Sequence, residues 1–245
     1  MIKAQITQGD CLHALQSLPP GSIDLVLADP PYGVTSCKWD TPIDLPQLWG
    51  LLATVCKPNA AIVMFCAQPF TSTLIESNKK HFRYCWVWDK QVASGMTYAK
   101  YQPMRRHEDI AVFYKKRATY NRQMVKRDKP VRVRRTKASP VVPIGKPVEQ
   151  EEYRVYTHKN PTTILRFPKI RSGAVHPTQK PVPLLQYLIK TYTDPGQTVL
   201  DFSMGSGSTG VAALQLDRHF VGIEKERGFF ETAQTRTVDA LRRTE

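Results

Sequence analysis

The chain has 245 residues, 41% of them hydrophobic, and carries 35 Lys and Arg against 21 Asp and Glu, a formal net charge of +14. A chain of this length can bury a substantial core, either as one domain with an insertion or as two small domains. No apolar run reaches the ~18 residues of a membrane span and no signal-peptide pattern opens the chain, so a soluble, cytoplasmic protein is expected.

Ala4 to Gln8 has the pattern of a strand ended by Gly9-Asp10, and Cys11 to Leu18 that of a short helix stopped at Pro19-Pro20-Gly21. Ile23 to Ala28 is branched and apolar almost throughout, the mark of a strand covered on both faces. Pro30 and Pro31 lack the amide hydrogen a ladder needs, so the chain leaves the sheet at Asp29. Leu45, Leu48, Trp49, Leu52 and Val55 recur at helical spacing, Lys57-Pro58-Asn59 ends that helix, and Ala60 to Cys66 follows as a buried strand. Thr71 to Lys79 predicts a helix, and Phe82 to Trp88 and Glu108 to Tyr114 predict strands. The Gly-containing stretch Asp89 to Arg106 between those strands is expected to be a long loop and a candidate lid.

From Lys115 to Arg171 periodicity is lost and prolines are frequent. This stretch holds 17 Lys and Arg against 4 acids, leaving 18 and 17 for the rest of the chain, so one segment carries the basicity. Tyr120, Tyr153, Tyr156 and Phe167 interleave with its arginines. Residues 115–171 are therefore expected to be an irregular insert that binds a polyanion, against the plainer reading of a solvated charged loop.

Regularity returns with a helix over Pro181 to Thr191, a strand Thr198 to Asp201, a Gly-rich turn, a helix Ser208 to Leu216, a strand His219 to Glu224 and a helix Glu226 to Arg243. The alternation predicts an α/β sandwich with a mostly parallel sheet and helices on both faces, built from residues 1–114 and 172–245. The five cysteines are scattered without a C-x-x-C pair and the histidines show no metal spacing, so neither a disulfide framework nor a metal site is expected.

Two stretches carry chemistry. Asp29-Pro30-Pro31-Tyr32 places a carboxylate, a free prolyl carbonyl and an aromatic ring at a strand's carboxyl end, where open parallel sheets bind ligands. Gly205-Ser206-Gly207-Ser208-Thr209-Gly210 matches G-x-G-x-x-G between a strand and a helix, and Glu224 ends the next strand, placed to accept hydrogen bonds from ribose hydroxyls. The ligand should contain a nucleoside; a dinucleotide such as NAD and S-adenosylmethionine both fit these glycines.

Taken together, Asp29-Pro30-Pro31-Tyr32, Asp201-Phe202-Ser203-Met204-Gly205-Ser206-Gly207 and His176-Pro177-Thr178-Gln179-Lys180-Pro181 closely resemble the amino-methyltransferases that act on DNA bases, in the motif order of their β group. The resemblance covers nearly the whole chain except the basic insert, and it outweighs NAD. It implies a Rossmann-like S-adenosylmethionine-dependent methyltransferase fold, with the insert as a target-recognition region. It implies that Asp29 and the Pro30 carbonyl accept hydrogen bonds from the exocyclic amino group, with Pro31 stiffening the corner and Tyr32 stacking on the target base.

Along the cofactor the resemblance places Asp201, Phe202, Gly205 and Gly207, with Glu224 at the ribose, Asp10 near the adenine, and His176, Thr178 and Lys180 near the methionine end. The family usually has Asp-Pro-Phe where this chain has Asp201-Phe202-Ser203. Arg132, Arg134 and Arg135 are the candidate phosphate or guanine contacts. The implied partner is double-stranded DNA, with a homodimer allowed and no membrane.

An acid at the first position of the Asp-Pro-Pro-Tyr motif is associated with adenine-N6 enzymes and Ser with cytosine-N4 enzymes, so adenine is favoured. Cytosine N4 is the alternative, and a non-catalytic DNA-binding module is a more distant one. Cytosine-5 chemistry needs a thiolate, typically in a Pro-Cys dipeptide, and none occurs. His107-Glu108 also resembles a recurrent pair of the family, and the expected role is a buried, hydrogen-bonded one. Trp39-Asp40 fits a pocket rim or a loop cap equally.

Overall fold

The computed structural model describes residues 2–33, 40–134, 153–170, 173 and 179–242. They form two compact units, Met1–Asn121 with Thr163–Glu245, and Arg122–Thr162.

In the larger unit the chain runs β1 (Ala4–Gln8), α1 (Cys11–Gln16), β2 (Ile23–Ala28), α2 (Leu45–Val55), β3 (Cys56–Cys66), α3 (Phe70–Ser77), β4 (Phe82–Ser94) and β5 (Arg105–Phe113). The smaller unit holds β6 (Val125–Arg134) and β7 (Tyr153–Lys159). The larger one then resumes with β8 (Ile164–Arg166), α4 (Val182–Tyr192), β9 (Thr198–Asp201), α5 (Ser208–Leu214), β10 (His219–Glu224) and α6 (Arg227–Arg242). Among the described residues eight strands make one sheet in the order β1-β10-β9-β2-β3-β5-β4-β8. The first five are mutually parallel, β5 runs against β3 and β4, and β8 runs parallel to β4.

All six residues of β2 are buried because both faces of the sheet are covered. Leu25 and Leu27 point into a core with Phe65, Trp88 and the α4 residues Leu184 and Leu188. Val26 and Ala28 point the other way, into a core with Leu15 of α1, Leu48 and Leu52 of α2, and Leu74 of α3. This is the period of two that separates the faces of a strand. The one acid in β2, Asp24, is satisfied from both sides, by Lys57 Nζ at 2.7 Å and the Thr198 amide at 3.0 Å.

Because β1, β10, β9, β2 and β3 are parallel, their carboxyl ends share one edge of the sheet. Asp10, Asp29, Asp201 and Glu224 arrive there together. The strand β4 has the same sense as β3, so its carboxyl half also reaches this edge, and the start of the opposed β5 is brought beside it, with Trp88 paired to Glu108.

Two expectations give way. Asp89 to Arg106 is strand at both ends rather than loop throughout, since β4 runs on to Ser94 and β5 starts at Arg105, which shortens the loop to 95–104. Its polar residues conceal the strand because they pair with one another: the Asp89 carboxylate accepts Arg106 Nε at 2.9 Å and Nη2 at 3.2 Å. Among its described residues the basic insert is not irregular either. Its β6 and β7 form an antiparallel pair from Val125↔Lys159 to Arg134↔Tyr153, with a register shift at the segment containing Pro130, where a ladder hydrogen bond cannot form. Charge density hides the alternation of Val131 and Val133 with Arg132 and Arg134.

The smaller unit is also shorter than the basic stretch. Asn121 on one side donates from its amide to the Thr191 carbonyl at 2.7 Å, and on the other the Thr163 carbonyl accepts from Val87 at 2.8 Å, so both flanks belong to the core.

Candidate active site

The edge described above opens into a cavity of about 500 Å³ lined by Asp10, Asp29, Pro30, Tyr32, Ser203, Gly205 and Glu224, among others. Asp29 enters it as the first residue beyond β2. The Tyr32 hydroxyl donates to Asp29 Oδ1 at 2.7 Å, and the Tyr32 ring stacks on Phe70 with centroids 5.1 Å apart and planes 17° from parallel. The corner is closed by Gly33, whose amide donates to Asp40 Oδ1 at 2.8 Å. With φ at +67° and the Pro42 ring against its α-carbon, Gly33 has no room for a side chain. Asp40 therefore caps the loop and also lines the cavity, so both expected roles meet in it.

Asp29 Oδ2 accepts from Lys180 Nζ, contributed by the segment just before α4. Lys180 also lies 3.6 Å from Glu108, and Glu108 Oε1 accepts from Lys90 Nζ at 3.2 Å. Two lysines and two carboxylates thus form a balanced, largely buried quartet. Burial raises Asp29 above the usual carboxylate range despite Lys180. Glu108 meets the same burial penalty, but the ammonium groups of Lys180 and Lys90 outweigh it and leave its carboxyl below that range. Burial alone would lower Lys180; the two carboxylates raise it and keep it charged.

At the other end of the cavity the Glu224 carboxylate accepts the Gly205 amide at 2.8 Å through Oε2 and the Glu226 amide at 2.8 Å through Oε1. Two backbone bonds fix its orientation and leave lone pairs for hydroxyl donors. Gly207 caps α5 with φ +77°, and a Cβ there would meet Ala233 Cβ at 2.9 Å, so glycine lets the turn lie close to α6. Asp201 is buried, accepts the Ser203 amide at 3.1 Å, and is pushed by burial up to about 7. Ser203 Oγ is buried beside the cavity with no hydrogen-bond partner. A nucleoside with vicinal hydroxyls and further polar atoms fits this lining.

A family model for DNA methylases, the N6_N4_Mtase family, matches residues 23–235. The chain belongs to this family. The methylase is 26% identical to the Type II methyltransferase M.HpaI of Haemophilus parainfluenzae, over 93% of this chain and 72% of that one. It is 28% identical to the DNA adenine methyltransferase YhdJ of Escherichia coli, over 89% of this chain and 77% of that one. Among solved structures it resembles the M1.HpyAVI-SAM complex with TM-score 0.65 and 26% identity, covering 95% of this chain and 98% of that one. It shares the fold of the cytosine-N4-specific PvuII DNA methyltransferase, with TM-score 0.68 at 15% identity over 99% and 92% of the two chains. The expected methyltransferase sandwich is borne out.

In the methylase, Asp29, Pro30, Pro31, Tyr32, Asp10, Lys180, Asp201, Phe202, Gly205 and Glu224 all line the one cavity, with Gly207 behind it at the start of α5. Phe202 is also packed into the core with Leu200 and Ile223, whereas the Ser203 hydroxyl stands unpartnered at the wall. Asp10 accepts the Leu12 amide at 3.0 Å as the cap of α1. His176, Thr178 and Arg135 lie outside the described residues. Arg134 is in β6, and the Arg132 guanidinium lies 4.0 Å over the Tyr153 ring, both in the smaller unit. Sequence reasoning missed Lys90, and it saw Glu108 only as a buried pair with His107. An acid at the start of an apolar strand was the one available signal, because Lys90 lies in the polar stretch Asp89-Lys90-Gln91.

Proposed function

We propose that this methylase transfers a methyl group from S-adenosylmethionine to the N6 amino group of an adenine flipped out of double-stranded DNA. The observation that carries this reading is the convergence, in one cavity, of the Asp29-Pro30-Pro31-Tyr32 corner and a backbone-held Glu224 carboxylate beside a glycine turn. An acid opens the corner, and the relative YhdJ is named an adenine methyltransferase.

S-adenosylmethionine supplies an electrophilic methyl group on a sulfonium. Glu224 would hold the ribose hydroxyls, Ser203 and the glycine turn the remaining polar atoms, and Asp10 the adenine end. An amino nitrogen conjugated to a purine is a weak nucleophile. Asp29 and the Pro30 carbonyl, both hydrogen-bond acceptors, would hold its two hydrogens and turn its lone pair toward the methyl. As the N–C bond forms and the C–S bond breaks, the nitrogen becomes cationic, and Asp29 Oδ takes the departing proton; its raised pKa suits it to hold one. Tyr32, backed by Phe70, offers its remaining face to the base, which can reach the pocket only by leaving the helical stack.

The β6-β7 ribbon supplies sequence-independent affinity through its arginines and lysines, including Arg132. Incubating the protein with unmethylated bacterial DNA and labelled S-adenosylmethionine, then digesting the DNA to nucleosides, tests the reading. Label in N6-methyladenine is expected; label in N4-methylcytosine would reassign the base, and folded protein that labels no DNA would remove the enzyme.

A further inference from the structure

The quartet at the corner contains one atom out of place. Glu108 Oε2 is buried with no hydrogen-bond partner, 3.6 Å from Lys180 Nζ, while Lys180 bonds instead to Asp29. A buried carboxylate oxygen held by an ion pair longer than a hydrogen bond needs a reason. Asp29 meanwhile accepts from Tyr32 through one oxygen and from Lys180 through the other, so an incoming amino group must share the carboxylate with an ammonium that draws on the same charge.

We propose that Lys180 is a two-position latch, bonded to Asp29 until a base arrives and to Glu108 Oε2 once the amino group has taken Asp29. The inference rests on the amino-methyltransferase reading above. Expelling an ammonium from Asp29 into a dry pocket with no replacement would leave an unpaired buried charge. Glu108 Oε2 provides the replacement, and closing 3.6 Å to hydrogen-bond length takes a shift of less than about 1 Å.

Glu108 need not move to receive Lys180, because Lys90 pins its other oxygen at 3.2 Å. The Phe65 ring, 4.9 Å from Lys180 Nζ, walls the ammonium in. Lys90 and Lys180 balance Asp29 and Glu108, so the move transfers no proton and changes no net charge. Lys180 and Glu108 are thus positioning residues that act through Asp29. The latch keeps Asp29 ionised in the base-free protein and frees it only for a group that can donate in place of Lys180.

The test compares wild type with Glu108→Gln and with the charge-balanced pair Lys90→Met and Glu108→Gln, using purified full-length protein. For each, kcat on unmethylated bacterial DNA, the Kd for S-adenosylmethionine by calorimetry and the melting temperature are measured. The latch predicts that the balanced variant folds, keeps Kd within twofold and loses at least tenfold in kcat, because Lys180 stays on Asp29. It is overturned if kcat stays within twofold, if kcat and cofactor affinity fall together, or if the balanced variant does not fold, since the quartet would then be structural. Glu108→Gln alone is expected to show the same kcat loss. Wild type that methylates no DNA would fail the underlying reading instead, and is scored separately.

Discussion

The Tyr32 hydroxyl and Asp29 Oδ1, three residues apart in one corner, are joined by a 2.7 Å hydrogen bond. The bond turns the carboxylate and the ring into one rigid unit and separates two roles that substitution can resolve. Tyr32→Phe loses the bond and keeps the stacking ring; kcat on DNA is expected to fall about 3- to 10-fold, a bond of ~1 kcal/mol. Tyr32→Ala also loses the platform and should cost at least about 100-fold, stacking on an aromatic being worth ~1–3 kcal/mol per base. Equal losses in the two variants would mean that the ring does no stacking.

Asp29 must be ionised to take the departing proton and to accept through both oxygens, and burial raises its pKa above that of an ordinary carboxylate. The rate should therefore fall as pH is lowered, with its acid limb at a higher pH than a solvent-exposed aspartate would give. Asp29→Asn should abolish the limb along with at least about 100-fold of kcat. A kcat profile that stays flat down to the ordinary carboxylate range would contradict this role.

Asp201 bears on stability with a definite sign. Its folded pKa of about 7 exceeds the unfolded value, so the folded state binds the proton more tightly. Its contribution is greatest at low pH and is lost as pH rises through about 7. Asp201→Asn removes the dependence; its stability relative to wild type should improve by ~2.5 kcal/mol between pH 5 and pH 8. Thermal melts of the two proteins across that range measure the difference.

Gly207 holds a left-handed backbone against α6. A methyl there would press on Ala233 Cβ at 2.9 Å. Gly207→Ala is expected to cost ~2 kcal/mol, read as a melting temperature lower by about 4–8 °C. Cofactor affinity should drop too, because the turn beside Glu224 would shift.

Arg132 sits in β6 with its guanidinium stacked over Tyr153. If it meets a DNA phosphate, Arg132→Ala should weaken binding evenly across sequences and reduce the slope of log K against log salt by about 1. Filter-binding titrations at several salt concentrations would show it; a preserved slope with altered sequence preference would make it a base contact.

The motifs were legible because each is local: the acid and prolines after β2, the glycines after β9, and an apolar period of two or 3.6 nearly everywhere between. Placing Asp29 and Glu224 at one edge needed only the inference of a parallel sheet. The quartet was not legible, because Lys90, Glu108 and Lys180 come from three separate segments and each alone looks like a stray charge. Nor were β8, only three residues long, or the far half of β4, whose Asp89, Lys90 and Gln91 carry no apolar alternation. In each case a partner distant in the chain decides the structure.

The chain leaves the core at Asn121, clamped to the Thr191 and Thr193 carbonyls and the Asp194 carboxylate, and returns at Thr163, bonded to Val87 and followed at once by β8 in the sheet. The 122–162 segment is thus entered and left at two points fixed within the core. Neither clamp uses a residue of that segment, so a segment borrowed from a relative and spliced at Asn121 and Thr163 is expected to leave the sheet and its methyl-transfer corner in place.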